Sequence, residues 1–235
     1  MNYGYAFSFQ FKDDDWIKKF AIAALFTIIP IIGPLFLAGW GLEITRRVIV
    51  KDPEPMPPWN DFGNYLVKGI QLIVIGFVYA LPIILVQACT QGVYIAGSEN
   101  IYNDDTFAVI AVIFQTCLGC LTFLYSIFLG LFLPAAIGHF AAEGSFGAAF
   151  QVGEIFNILK KGFAAYLIVL IFSFVLPILA LVGLAFCLIG VLFTAPYAMM
   201  AIQYLIGEAY RATKEIMDTG IDTDFEPDVK PIAGA

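Results

Sequence analysis

The chain is built from long apolar runs separated by short polar punctuation. The stretch Phe20–Leu42 reads "FAIAALFTIIPIIGPLFLAGWGL", and Gly162–Gly207 is apolar almost throughout. Each exceeds the roughly 18 residues that mark a membrane-crossing helix, and several are longer than one crossing needs. A single helix over residues 17–50 would run about 50 Å against a hydrocarbon core of about 30 Å. Near its middle stand Pro30, Gly33 and Pro34, in "IPIIGP". Proline removes a backbone donor and clashes with the preceding turn, and glycine tolerates a tight reversal. A kinked rod and a hairpin both fit this pattern.

Charge separates the two. The 12 Lys and Arg fall in groups: Lys12, Lys18 and Lys19; Arg46, Arg47, Lys51 and Lys68; Lys160 and Lys161; Arg211 and Lys214; and Lys230. A single crossing over 17–50 would put the first two groups on opposite sides. A hairpin there, and another turning around "LVGLAFCLIG" (Leu181–Gly190), leaves every basic residue on one side. The opposite loop "QGVYIAGSENIYNDDT" (Gln91–Thr106) carries none. The positive-inside rule assigns the basic side to the cytoplasm. The expectation is an all-α polytopic helix bundle in the plasma membrane, with about six transmembrane segments and both termini cytoplasmic.

"DDDWIKKFA", "WNDFGNYLVKGI" and "GEIFNILKKGF" each set aromatic and aliphatic residues at helical spacing, then lysine, then an apolar span. They predict three helical-hairpin units, about 7–50, 57–143 and 145–213, each opened by a short cytoplasmic interfacial helix. Trp16, Trp59 and Phe62 are the expected interfacial anchors. Between the first two units lies "KDPEPMPPWNDFG" (Lys51–Gly63). Its prolines hold the chain extended and stop the preceding helix, so it reads as a device for re-entering the membrane. Residues 214–235 read as an acidic cytoplasmic tail, and its "DFEPDV" as a possible partner-binding peptide.

"DDDWIKKF", "PIIGPLFLAGWGLEITRRVI", "MPPWNDFG" and "KGI" resemble a multi-pass membrane family found in archaea and bacteria, catalogued as a domain of unknown function (number 4013). "GEIFNIL", "FCLIGVLFTAPY" and "YLIGEAYR" look like that family's C-terminal half. The resemblance implies the fold. It supplies no activity and no catalytic residue.

Composition agrees: 60% of residues are apolar and 13% charged, and the formal charge of −7 argues against nucleic acid as a partner. The acidic N-terminus lacks a basic region followed by a cleavage site, so no signal peptide is expected. Cys117 and Cys120 form a CxxC inside an apolar run, where small buried hydrophobes are the simpler reading. With one His, and with no Gly-rich phosphate loop, GxSxG or HExxH, neither a metal nor a cofactor is expected and no catalytic residue is assigned.

Ionisable residues near span ends are the remaining suspects. Glu43, His139 with Glu143, and Glu208 stand at equivalent places in the three units. They are the candidate polar site, facing the cytoplasm and binding a cation, a proton or a lipid headgroup. Against this, Glu43–Arg47 and Glu208–Arg211 are spaced to pair on their own helices. Ser126/Gly130, Gly138/Ala142 and Ala198/Ala201 are expected to allow close helix packing, and Gln71, Gln87, Gln115 and Gln203 to bond between helices. The sequence thus points to a non-enzymatic membrane protein, a scaffold, assembly or accessory subunit whose partners are the lipid bilayer and other membrane proteins. A small transporter or channel gated by those polar residues is the alternative, and a membrane enzyme comes third.

Overall fold

A computed structural model describes residues 3–101, 105–185 and 188–219, apart from side chains masked near the gaps. These residues form seven α-helices: α1 (Trp16–Ile28), α2 (Ile32–Ile49), α3 (Phe62–Ile101), α4 (Asp105–Glu143), α5 (Val152–Lys161), α6 (Phe163–Ala185) and α7 (Leu188–Thr219). Two 3-10 turns precede α1, and another joins α4 to α5.

The first apolar run is not one rod. It breaks at Ile29–Ile31, between α1 and α2. Pro30 cannot donate to the helix ladder, and its carbonyl accepts from the Ile32 amide at 2.8 Å. Ile31 between them has φ 67 and ψ −62, a γ-turn of the strained kind, rare for a β-branched residue. The two helices then pack against each other, with the Phe26 and Phe36 rings 4.9 Å apart. The apolar tip is open: Ile28, Ile31 and Ile32 are exposed, Ile31 by 80%.

The extended segment after α2 ties three helices together. Lys51 takes the left-handed conformation (φ 60), and the Asp52 and Lys51 amides reach back to the Arg47 and Val48 carbonyls. That is a Schellman cap, with lysine where glycine is usual. Beyond it, three successive carbonyls each accept from a side chain on a different helix. Lys19 Nζ of α1 donates to Met56 at 3.0 Å, Trp40 Nε1 of α2 to Pro57 at 3.0 Å, and Tyr65 Oη of α3 to Pro58 at 2.8 Å. Trp59 closes the clamp by stacking on Trp40, with centroids 4.7 Å apart, and by donating its indole N–H to the Lys19 carbonyl. The prolines keep the segment extended; the side-chain donors satisfy carbonyls that have no backbone partner, those of Met56 and Pro57 in buried residues.

Alpha2 and α3 touch backbone to backbone. A Cβ on Gly39 would lie 1.8 Å from the Tyr65 carbonyl oxygen, and one on Gly69 would lie 1.9 Å from that of Leu35. This pair of small residues escaped the sequence reading. Of the expected pairs, Gly138 lies under Tyr210, Gly130 under Leu170, and Ala198 and Ala201 are buried. Ser126 bonds only to its own helix. Alpha7 packs against α1, α2, α4, α5 and α6, and the main core sits around it, with Trp40, Tyr166, Met200 and Tyr210 fully enclosed.

Alpha3 and α4 have 40 and 39 residues, about 60 Å each at 1.5 Å per residue. Each carries one proline, Pro82 and Pro134. One turn before Pro82, the Tyr125 hydroxyl of α4 donates to the Tyr79 carbonyl of α3 at 2.9 Å and ties the two helices together.

Several expectations need correction. Gln91–Ile101 is helical, the continuation of α3, rather than an outer loop; residues 102–104 lie outside the described residues. "WNDFGNYLVKGI" does not form a separate interfacial helix but runs into α3 without a break, and "DDDWIKKF" likewise runs into α1. Only the third unit opens with its own short helix, α5, at 93° to α6. The expected turn at Leu181–Gly190 is helical as far as Ala185 and again from Leu188, with 186–187 outside the described residues. Alpha7 continues to Thr219, past the expected end of the third unit at 213; residues 220–235, including "DFEPDV" and Lys230, lie outside the described residues. Cys117 and Cys120 are exposed on α4, not buried.

Three helices are long and apolar enough to cross a membrane among the described residues: α3, α4 and α7. Alpha5 and α6 supply a fourth if the bent pair counts as one span. Alpha1, with 13 residues, is about 20 Å long, short of the hydrocarbon thickness. Alpha2 carries Glu43, Arg46 and Arg47 in its last turns. By length and composition the described residues thus offer three or four candidate spans, fewer than the six expected from the sequence.

Candidate functional site

Charged side chains gather at one end of the bundle, where α2, α4 and α7 end and α3 and α6 begin. Glu43 is almost enclosed, its side chain 8% exposed. Arg46 approaches it on two nitrogens, Nη2 at 2.8 Å and Nε at 3.0 Å, and Lys68 arrives from α3 at 2.7 Å. Arg47, the partner expected from i, i+4 spacing, stays at 3.8 Å and also faces Asp52 at 3.7 Å. Its Nη1 donates to the Glu54 carbonyl. Burial pushes the Glu43 carboxyl up, but hydrogen bonds and charge from Arg46 and Lys68 outweigh it and hold the group below the usual carboxylate range. Lys68, which sits 25 positions away in sequence, was not legible as its partner.

Glu208 of α7 is buried and pairs with Arg211 one turn on, at 2.7 Å. Its Oε2 touches Arg211 at 2.7 Å without hydrogen-bond alignment and has no other partner. Arg211 also reaches the Val48 carbonyl, at 3.4 Å. Alpha2 and α7 are joined further by Thr45, whose hydroxyl donates to Gln203 Oε1 at 2.7 Å. Among the expected interhelical glutamines, Gln203 therefore does bond across helices.

His139 of α4 is buried in a network that spacing alone did not reveal. Its Nδ1 lies 3.0 Å from the Tyr210 hydroxyl of α7, and its Nε2 lies 3.1 Å from Gln151 Oε1 at the start of α5. A neutral ring that donates from Nε2 and accepts at Nδ1 satisfies both contacts. The Glu154 carboxylate stands 3.6 Å from Nε2, and Glu143 is exposed.

The four candidate residues thus lie at one end, on three helices in mutual contact, but each buried one is closed by partners of its own. Glu43 has Arg46 and Lys68, Glu208 has Arg211, and His139 has Tyr210 and Gln151. Among the described residues, no group of three His, Cys, Asp or Glu is placed to hold a metal ion. A polar-lined cleft of about 400 Å³ at this end lies between Tyr5, Lys51, Asp52, Pro53, Tyr204 and Arg211.

Of the expected anchors, Trp59 is partly buried and its N–H is directed inward to the Lys19 carbonyl. Trp16 packs edge-on against Phe11, and Phe62 is exposed.

No curated protein and no solved structure matches this chain. A family profile described as a protein of unknown function (DUF4013) matches residues 22–191, from within α1 to the start of α7, and so stops short of "GEAYR". Covering well over half of the sequence, that match places the chain in the DUF4013 family of unknown function.

Proposed function

We propose that this chain is a non-enzymatic integral membrane protein, a scaffold or accessory subunit that works through apolar helix faces. The reading takes α3–α4 and α6–α7 as two spanning hairpins, and α1–α2 as a re-entrant hairpin that enters and leaves on the charged side. Its apolar depth, from the tip to Glu43, is about 17 Å along α2, roughly half of the hydrocarbon core. Alpha5, lying at 93° to α6 with Phe156 and Lys160 outward, would rest in the headgroup plane. The positive-inside rule puts the charged end, and with it both termini, in the cytoplasm. The plasma membrane is the expected location.

One observation carries the scaffold reading. In their most apolar windows, only 6% of the α3 residues and 17% of the α4 residues are buried within the chain, against 44% for α7. A pair of spans so little used for the protein's own core offers a long apolar arm to other helices. Association there would rest on close packing and scattered polar bonds, because lipid is as apolar as leucine.

A transporter is the second reading, favoured by the unaligned Glu208 Oε2 and the buried, unpartnered Tyr166 hydroxyl. Such groups are costly and often functional inside a membrane protein. Photo-crosslinking residues placed at Phe77, Leu121 and Phe123 of the full chain, in native membranes, separate the two. A scaffold gives one discrete protein adduct at fixed stoichiometry. Adducts to lipid alone contradict it.

A further inference from the structure

We infer that the cleft between α2, α3 and α4 at the charged end binds a phosphate-class oxyanion. Its source would be the phosphodiester of an anionic lipid or free phosphate. The cleft measures about 40 Å³ and is lined by Arg46, Lys68 and Gln71 above a floor that includes Leu42 and Phe140. Both charged liners are cations, although the whole chain carries a formal charge of −7. They share one carboxylate, Glu43, and the only other carboxylate in this ion-pair group, Asp52, faces Arg47 rather than the cleft.

The donor count points the same way. Arg46 has five N–H groups and directs only those on Nε and Nη2 at Glu43. Lys68 has three and directs one there. Glu43 leaves most of their N–H groups unengaged, and both side chains line the cleft together with Gln71. Glu43 thus acts as a positioning residue: it fixes two long cationic side chains that would otherwise lose entropy on gripping a ligand. Arg46 remains 47% exposed, so its outer edge is reachable.

Size and place define the ligand. A volume of about 40 Å³ admits one or two phosphate oxygens, not a whole headgroup, so the rest of the ligand stands at the mouth. Basic pockets between helices at the cytoplasmic surface take anionic headgroups on this principle. The acidic neighbour is Glu143, next to Gly144 of the lining, and its side chain is exposed. The inference requires the charged end to lie at headgroup depth; it is independent of the scaffold role.

The test uses the full chain in mild detergent, titrated with a short-chain phosphatidylglycerol, the matching phosphatidylcholine, or inorganic phosphate. The readout is the unfolding midpoint, which ligand binding to the folded state raises. Phosphatidylglycerol is expected to raise it saturably and phosphatidylcholine is not. A similar rise with inorganic phosphate assigns the site to the free anion; no rise with phosphate assigns it to the lipid. Gln71→Glu places a carboxylate in the cleft while leaving Glu43, Arg46 and Lys68 themselves unchanged. It should weaken phosphatidylglycerol about tenfold or more, equivalent to about 1.4 kcal/mol. Lys68→Gln should do the same; if that variant fails to fold, Gln71→Glu alone decides. Lys160→Gln on α5 is the charge control and should leave the affinity unchanged. Equal shifts with both lipids, an unchanged affinity in Gln71→Glu, or an equal loss in Lys160→Gln each overturn the proposal.

Discussion

Replacing Trp40 by Phe tests the clamp at its most buried point. Trp40 is fully enclosed, stacks on Trp59 at an interplanar angle of 12°, and gives its only N–H to the Pro57 carbonyl. Pro57 is buried as well, so no water replaces that donor. Phenylalanine keeps a ring against Trp59 but leaves the carbonyl without a partner, at a cost of about 1–3 kcal/mol. The smaller ring gives up roughly 40 Å² of buried apolar surface, about 1 kcal/mol more. The sum is about 2–4 kcal/mol. Tyr65→Phe is the internal comparison: it removes only a hydroxyl bonded to the exposed Pro58, so about 0.5–1.5 kcal/mol is expected. Equilibrium unfolding by dodecyl sulfate in mixed micelles, followed by far-ultraviolet circular dichroism, measures both. If Trp40→Phe costs no more than Tyr65→Phe, the carbonyl–donor account of the segment is wrong.

Three further substitutions probe other parts of the fold. Gly39→Leu drives a side chain into the Tyr65 carbonyl and should separate α2 from α3, abolishing the monodisperse gel-filtration peak of the folded chain. Ile31→Gly removes a positive-φ strain at an exposed position; stability should hold or rise by about 1 kcal/mol in the same dodecyl sulfate assay, and a loss would contradict the strained turn. Glu43→Gln leaves Arg46 and Lys68 without their carboxylate, but both are partly exposed, so about 1–3 kcal/mol is expected near neutral pH. Because the folded carboxyl titrates below its unfolded value, that contribution is present above the ordinary carboxylate range near 4.3 and is lost as pH falls through the folded value. Wild type and Glu43→Gln should therefore converge in stability under acid.

Local chemistry was the legible part of the sequence. "IPIIGP" contains its own breaker, so the end of α1 could be read directly. Glu208 carries Arg211 one turn away, so that pairing could also be read, whereas for Glu43 the spacing pointed to Arg47 and the close contact comes from Arg46. The two "KG" dipeptides show where such reading fails. Gly69 stays helical with its bare backbone against the Leu35 carbonyl, whereas Gly162, against the Thr213 side chain, ends α5 at a sharp bend. The same letters give a continuous helix in one unit and a corner in another, and only the packing partner tells them apart. The helical course of Gln91–Ile101 was hidden for a similar reason: its glycines and polar residues read as a loop, but nothing in them forbids a helix. His139 with Tyr210, 71 positions apart, and Glu43 with Lys68 depend on which helices become neighbours. Local spacing carries no record of that.

The sidedness of the helix ends is the claim on which the membrane account rests. Single cysteines at Asp14, Glu54, Ser145 and Asp218, at Gln91, and at the Ile31 tip, in a chain with its four native cysteines replaced, report it directly. A membrane-impermeant maleimide applied to intact cells and to inverted vesicles is expected to label the first four positions only from the cytoplasmic face. Gln91 should label only from the opposite face, and Ile31 from neither. Labelling of Asp14 and Glu54 from opposite faces would mean that α1 and α2 together cross the membrane, and would contradict the account.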